Sequence, residues 1–405
     1  MANELPGTGP SAPAIAAAGM LSLAVAMGIG RFAFTPLLPL MIQGGQVDVA
    51  AGGWIAAANY AGYLAGALTA TRLRWSALRL SAVALALTVV LTAAMALSLP
   101  QALWALLRFA AGLCSAWAFV GTAVWCLGAL AQRGRLAWSG AAYSGVGFGI
   151  AAAGLYCLAG AAVGHSAPAL WLQLGLLAIV MLLPVVWVAR GLKSAVPVPS
   201  RTATARAFAM PEGSRGLVIC YGVLGFGYIL PATFLPVLAR SLVPDPRIFG
   251  LAWPLFGLTA AASTFVAAWA MRRAARLQVW AVSNVVMGVG VLLPSVWRSA
   301  MAVALSALMV GGTFMIVTLA GVQEIRERTT GDATPLVARM TAAFALGQIA
   351  GPIASSLLLH MPRFAESGLD IALQTAAASL FAAAVWLWRA RRPSITAAKE
   401  MSHAR

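Results

Sequence analysis

Gly28-Ile29-Gly30-Arg31-Phe32-Ala33-Phe34-Thr35-Pro36-Leu37-Leu38-Pro39-Leu40-Met41 decides how this chain is read. The stretch lies in an apolar run from Pro13 to Ile42, and about 20 apolar residues suffice for a helix to cross the hydrocarbon core of a bilayer. Arg31 stands alone near the middle of that run. A cation there costs about 2.5–3.5 kcal/mol on insertion scales, so such a residue faces a bundle interior or a wet cavity. Pro36 and Pro39 would break a soluble helix. Inside a membrane bundle, neighbouring helices satisfy the backbone groups they release. The stretch predicts a kinked, cavity-facing membrane helix with one buried positive charge.

The rest of the chain has the same character. Of 405 residues, 61% are hydrophobic and only 9% charged, whereas soluble domains carry about 25% charged residues. Mean hydropathy is +0.88. The net charge of +17 is spread as short basic clusters between apolar runs, a topology signal that does not call for a nucleic-acid partner. Twelve apolar segments run near 13–42, 50–71, 77–99, 102–130, 136–163, 168–190, 215–240, 248–271, 277–297, 300–324, 337–361 and 368–390. The break from Gly191 to Ser214 separates six from six. This gives an N-terminal bundle over 1–190, a cytoplasmic central loop over 191–214, a C-terminal bundle over 215–392 and a cytoplasmic tail over 393–405.

With both termini in the cytoplasm, 21 of the 27 Lys and Arg fall on the cytoplasmic side, 4 on the other, and Arg31 and Arg108 inside spans. Such a bias sets orientation. Trp104, Trp138, Trp171, Trp297, Trp386 and Trp388 lie near span ends and read as interfacial belts.

An internal repeat links the two halves. Gly28-x-Gly30-Arg31, followed by Leu38-Pro39, recurs 197 residues later as Gly225-x-Gly227-Tyr228, followed by Leu235-Pro236. Gly145-x-x-x-Gly149 recurs as Gly347-x-x-x-Gly351 at an offset of 202. Parallel repeats of this kind place substrate near the midplane, between the halves. The expected fold is an all-α integral membrane protein, with twelve transmembrane helices in two pseudo-symmetric six-helix bundles.

Twelve spans in two halves with a basic central loop resemble the major facilitator superfamily (MFS). Within it, the stretch from Gly28 to Met41 is similar to the opening signature of the YbfB/YjiJ-type bacterial transporters, and the resemblance covers essentially the whole chain. It implies a monomeric, multi-pass secondary transporter of the bacterial inner membrane with both termini cytoplasmic. It also implies alternating access, with spans 1, 4, 7 and 10 lining the site. Arg108-x-x-x-Gly112 is similar to the arginine motif of proton-coupled members. Gly347-x-x-x-Gly351-Pro352 resembles the glycine–proline motif of exporters, although it lies in the eleventh span and Ile150 replaces proline in the fifth-span copy. The loop from Gly66 to Arg74 aligns with the gating-loop motif and keeps Arg72 and Arg74. Ala70 stands in place of its acid and Leu73 in place of a glycine, which leaves the usual latch without its acidic partner.

Arg31 leads the candidate substrate-binding residues, because a guanidinium offers a bidentate fork to a carboxylate or phosphate. The competing role is a structural charge satisfied by carbonyls released at Pro36 or by polar groups on neighbouring helices. All ten acids fall in tails, loops or span ends, so no acidic partner for Arg31 is evident within a span. Tyr228 holds the repeat position of Arg31 and is expected to face the same cavity. Arg108 reads either as a second cavity cation or as a side chain bonded to a neighbouring carbonyl. Asn59, Tyr60, Tyr63, Tyr143 and Gln348 are further intramembrane polar groups, for which interhelical hydrogen bonding competes with substrate contact. Thr313, in Gly311-Gly312-Thr313, either helps bring backbone near a ligand or allows close packing. Gly28, Gly30, Pro36, Pro39, Gly145, Gly149, Gly347, Gly351 and Pro352 are expected packing and gating positions, the Gly-x-x-x-Gly pairs being close-packing faces.

Gly145-Val146-Gly147-Phe148-Gly149 is not a dinucleotide fingerprint, since no strand precedes it. Cys114, Cys126, Cys157 and Cys220 lie in apolar segments without metal-like spacing and read as small buried hydrophobes. No nucleophile–base pair, metal cluster or cofactor site stands out, and an enzyme is not expected. The expected partners are a small organic solute, which Arg31 tilts toward an anion, and membrane lipids. Protons stay open as a coupling ion, although Arg108 cannot carry them because arginine does not deprotonate in proteins. Two rivals remain: an exporter of neutral or cationic drug-like compounds, and a non-transporting sensor or scaffold that keeps the fold. A measured flux separates transport from the scaffold role.

Overall fold

The structure, a computed structural model, describes residues 9–70, 72–73, 75–135, 138–192, 214–242, 250–328, 334–364 and 366–390. Arg74, nearly all of the central loop at 191–214 and the tail at 393–405 lie outside the described residues. Among the described residues twelve long helices follow one another. In the N-terminal half these are α1 (Ala12–Gln43), α2 (Val49–Ala70), α3 (Ala77–Ala94), α4 (Gln101–Gln132), α5 (Ser139–Ala162) and α6 (Ala167–Arg190). In the C-terminal half they are α7 (Ser214–Leu242), α8 (Ala252–Ala270), α9 (Arg276–Val296), α10 (Ala300–Arg328), α11 (Thr334–His360) and α12 (Gly368–Arg389). Ten are long and apolar enough to cross a membrane by length and composition; in α8 the apolar stretch Ala252–Ala267 is shorter than these. The Gly- and Ala-rich α2, which carries Asn59, Tyr60 and Tyr63, is not among them.

Short polar turns start the helices. Ser76 and Ser166 accept the amides of Arg79 and Ala169, and Asp48 accepts that of Ala51 at 2.7 Å. Each cap satisfies an amide that has no partner within its own helix. The third span, expected to reach residue 99, ends at Ala94, where the chain turns through Met95 to Leu97.

Burial separates outer from inner helices. Leu176, Val180, Leu183 and Trp187 on α6 are exposed, as are Val282 and Val285 on α9. In the most apolar window of α6 only 28% of residues are buried, against 72% in that of α7. Exposed Leu and Val on a chain of this composition face acyl chains, which are as apolar as leucine. The most buried helices, α7 and α1, lie at the centre. Two tryptophans depart from the expected belts. Trp104 and Trp171 are buried, the first donating its indole N–H to Leu97 O at 3.1 Å. Both pack against protein, whereas Trp138, Trp297, Trp386 and Trp388 are exposed.

Glycine lets backbones touch inside each half. A Cβ on Gly28 would collide with the backbone of Gly149, and one on Gly225 with the backbone of Phe344. Residues 28 and 225 are repeat partners, so α1 packs on α5 as α7 packs on α11. The halves meet through α1 with α7, α2 with α11, and α5 with α8.

Candidate functional site

The site is built on a break in α1. Regular α-helix ends at Leu23, and from Ala24 to Ile29 the chain widens to a π-helix. The Gly30 amide donates to Val25 O at 2.8 Å and the Phe32 amide to Met27 O at 2.9 Å, each five residues back. Regular helix resumes at Phe34. Pro36 has no N–H for Phe32 O, the acceptor four residues before it, and the Thr35 amide turns to that oxygen at 3.1 Å. Arg31 O thereby loses its regular donor. The sequence predicts a kink at the prolines; the irregular turns come before them and put Arg31 in the gap. Such π-bulges recur at functional sites.

Arg108 fills the break. Its Nη1 donates to Gly30 O at 2.8 Å and its Nη2 to Arg31 O. Phe34 and Trp171 lie 5.4 and 5.8 Å from the guanidinium carbon, at cation–π range. Asn59 Nδ2 on α2 donates to Arg108 O at 2.8 Å. Of the two roles weighed for Arg108, this geometry is that of the carbonyl-bonded side chain.

Arg31 is only 4% exposed. Its Nη2 donates to Gln348 Oε1 on α11 at 2.7 Å, and Gln348 Nε2 donates in turn to the Tyr228 hydroxyl on α7. The Tyr63 ring centroid lies 4.0 Å from the guanidinium carbon, with Phe32 at 5.0 Å and Tyr60 at 5.4 Å. Arg31 Nε has no hydrogen-bond partner among the described residues. The acids in described ion pairs are elsewhere: Glu324 with Arg328, Glu327 with Arg276, and Asp370 with Arg298. Arg31 and Tyr228, paired by the repeat, and Gln348, read on its own, thus form one hydrogen-bonded chain across the two halves.

The other candidates fall at various distances from that chain. Thr313 returns its hydroxyl to Met309 O at 2.6 Å within α10. Tyr143, in the short first turn of α5, has its ring 6.1 Å from Phe119. Gly145 and Gly149 face the backbones of Met20 and Ala24 on α1; Gly347 faces that of Gly222, and Gly351 the Ile229 side chain. A Cβ on Gly30 would meet Thr88 Cγ2 at 2.5 Å. Arg72 is exposed in the turn after α2. Pro352 O lies 3.1 Å from where a Cβ on Gly53 would stand.

Residues beyond the sequence-derived set complete the site. Tyr228 is stacked between Phe314 (4.6 Å) and Phe344 (5.5 Å). Thr35 Oγ1 donates to Ala232 O at 2.8 Å, and the Tyr60 hydroxyl bonds with Thr233 Oγ1 at 3.0 Å. Farther along, Ser356 Oγ donates to Ala50 O at 2.9 Å and Arg240 Nη1 to Pro39 O at 2.6 Å. These bonds join the halves on the side of Arg31 where α1 ends and α2 begins. Thr35 and Ala232 are again 197 residues apart, so applying the repeat offset to more than Arg31 would have found them. Phe344 sits four residues before Gln348 on the same face of α11, and that spacing was the available signal for it.

Comparison with known proteins agrees with this architecture. A family profile described as "Uncharacterised MFS-type transporter YbfB" matches residues 23–387. No curated protein matches the chain in sequence. Among solved structures, a mutant form of the nucleoside transporter NupG is similar at TM-score 0.68 and 15% identity, covering 93% of this chain and 99% of that one. The D-xylose-proton symporter gives a TM-score of 0.69 at 13% identity, covering 92% and 96%. A bacterial homologue of the human lysosomal transporter Spinster, inward-facing and occupied, gives 0.64 at 14% identity, covering 94% and 95%. At these identities the likeness is one of fold.

Proposed function

Because the chain belongs to the YbfB-type family of MFS transporters, we propose that it carries a small organic anion across the bacterial inner membrane by alternating access. The observation behind the anion is Arg31. It is a buried guanidinium whose described partners are neutral and whose Nε has no hydrogen-bond partner among the described residues. A buried cation left without a counter-charge is costly, and pairing it with a carboxylate or phosphate removes much of that cost. The solute is the missing partner.

Both termini are cytoplasmic in this reading, as the lysine and arginine bias supports. The Arg240–Pro39, Ser356–Ala50, Tyr60–Thr233 and Thr35–Ala232 bonds then lie on the periplasmic side of Arg31. The conformation is the outward-closed member of the cycle. The solute binds from the cytoplasm and leaves when those bonds part. Direction follows from charge, because an inside-negative potential favours outward movement of a monoanion by about 2.3 kcal/mol per 100 mV. The protein acts as an exporter that needs no coupling proton.

The test is flux from proteoliposomes loaded with a labelled monocarboxylate, with the membrane potential clamped by potassium and valinomycin. Efflux should rise as the inside is made negative, with no requirement for a pH gradient. Efflux that follows the pH gradient at zero potential would assign coupling to protons. If lipophilic cations move and carboxylates do not, the drug-like exporter is the better reading. No flux of any solute would favour the scaffold.

A further inference from the structure

The hydrogen-bonding groups around Arg31 are largely spent on one another. The Tyr60 hydroxyl is taken by Thr233, the Tyr228 hydroxyl by Gln348, the Gln348 carbonyl oxygen by Arg31 and the Thr313 hydroxyl by Met309 O. The Tyr63 hydroxyl is likewise engaged with Arg31. Among the described residues, the buried atoms here without a hydrogen-bond partner are Arg31 Nε and, behind it, the acceptor Asn59 Oδ1 and Arg108 Nε. A solute rich in hydroxyls, such as a sugar, would exchange its water for few bonds here, and each unpaired polar group it buried would cost affinity.

Rings supply the rest of the surroundings. Tyr63, Phe32 and Tyr60 stand around the guanidinium at 4.0–5.4 Å. Tyr228 lies between Phe314 and Phe344, its plane 20° from the first and 8° from the second. Tyr63 and Phe344 are both only half-buried while touching the seam between the halves, so each keeps a ring surface that a ligand can meet. Rings so placed favour a flat partner by offset or edge-to-face contact, and small-molecule sites typically pair such apolar walls with a few placed polar groups.

Resting on the anion reading above, we infer that the solute is a flat ring bearing one acid group, an aryl or heteroaryl monocarboxylate. Its carboxylate takes Arg31, and its ring lies between Tyr63 and the Phe344–Tyr228–Phe314 stack. The Arg31 guanidinium fixes the head and the rings select the body.

The experiment measures binding to the detergent-purified full chain by calorimetry, using benzoate, cyclohexanecarboxylate, hexanoate and benzyl alcohol. Benzoate and cyclohexanecarboxylate carry the same charge at similar size, and only the first is flat and aromatic. Benzoate should bind more tightly by about 2- to 12-fold for each ring it meets, the range of measured aromatic pair terms. Tyr63→Leu should erase the difference between the two acids while both still bind. The comparison on the unaltered protein needs no variant, so a misfolded Tyr63→Leu does not spoil it. If cyclohexanecarboxylate or hexanoate binds as tightly as benzoate, the ring inference fails and the anion reading stands. If benzyl alcohol binds and none of the acids does, or if nothing binds, both fail.

Discussion

Replacing Arg108 tests how the break in α1 is held. In Arg108→Leu the carbonyls of Gly30 and Arg31 lose the donors that now meet them. Bonds from a charged donor contribute about 1.5–3 kcal/mol each, so the loss is about 3–6 kcal/mol. Against this, the variant no longer holds a cation in the membrane interior, a cost of about 2.5–3.5 kcal/mol. At the centres of the two ranges, about 4.5 against about 3 kcal/mol, the net effect is destabilisation of about 1–2 kcal/mol. Arg108→Lys keeps the cost of burying the charge but lacks the planar fork, and a single ammonium does not reproduce the two-carbonyl geometry. The conservative variant should therefore be no more stable than the leucine one. Membrane proteins often unfold irreversibly, so midpoints are compared at one heating rate by tryptophan fluorescence in detergent. At about 2–4 °C per kcal/mol, the value for domains of 150–250 residues, both variants should melt at least about 2 °C below wild type. A lysine variant that melts with the wild type, or a leucine variant that melts above it, would refute the capping role.

Other expectations follow from the packing and the seam. Gly149→Val should fail to fold or lose more than the 1–3 kcal/mol typical of overpacking, because its Cβ meets the backbone of Ala24; Gly128→Val, where no atom lies within 4 Å of the added Cβ, should express normally on a size-exclusion trace. Tyr60→Phe removes the bond to Thr233 across the halves, about 0.5–1.5 kcal/mol, and should raise the open population by about 2- to 12-fold. Cys157 lines a small cleft with Pro36 and Pro236 beside that seam. Its labelling by an impermeant maleimide, with Cys114, Cys126 and Cys220 changed to Ala, should accelerate to match; an unchanged rate would mean that the bond does not hold the seam shut. Arg298→Ala breaks an exposed pair with Asp370 and should shift the melting midpoint by no more than about 1 kcal/mol allows.

The helix count, the two halves and the membrane setting were legible because each rests on composition and on signals along the chain. Apolar runs have a length set by the bilayer, and the 197-residue offset marks the repeat. The Arg31–Tyr228 relation was legible for the same reason. What joins them was not: Gln348 lies 317 residues from Arg31, and no local pattern reports such a contact. Helix faces were hidden too, since a helix apolar all round carries no stripe to orient it. Hence Thr313 and Tyr143 could not be told apart in sequence from Tyr63, whose ring covers Arg31, and Phe314 passed as one more apolar residue. The break at Ala24 to Ile29 was misplaced at the prolines because proline is the visible helix breaker. The chain accommodates Pro36 by rewinding before it.

The most direct test of the anion site is a titration of benzoate into wild type, Arg31→Gln and Arg31→Lys, each first shown to be folded by its melting curve. Truncating one member of a buried charged pair costs about 2–5 kcal/mol, so Arg31→Gln should bind at least about 30-fold more weakly, with Arg31→Lys between the two. If the folded Arg31→Gln protein binds benzoate as tightly as wild type, Arg31 is a structural charge and the account of an anion transporter built around it is wrong.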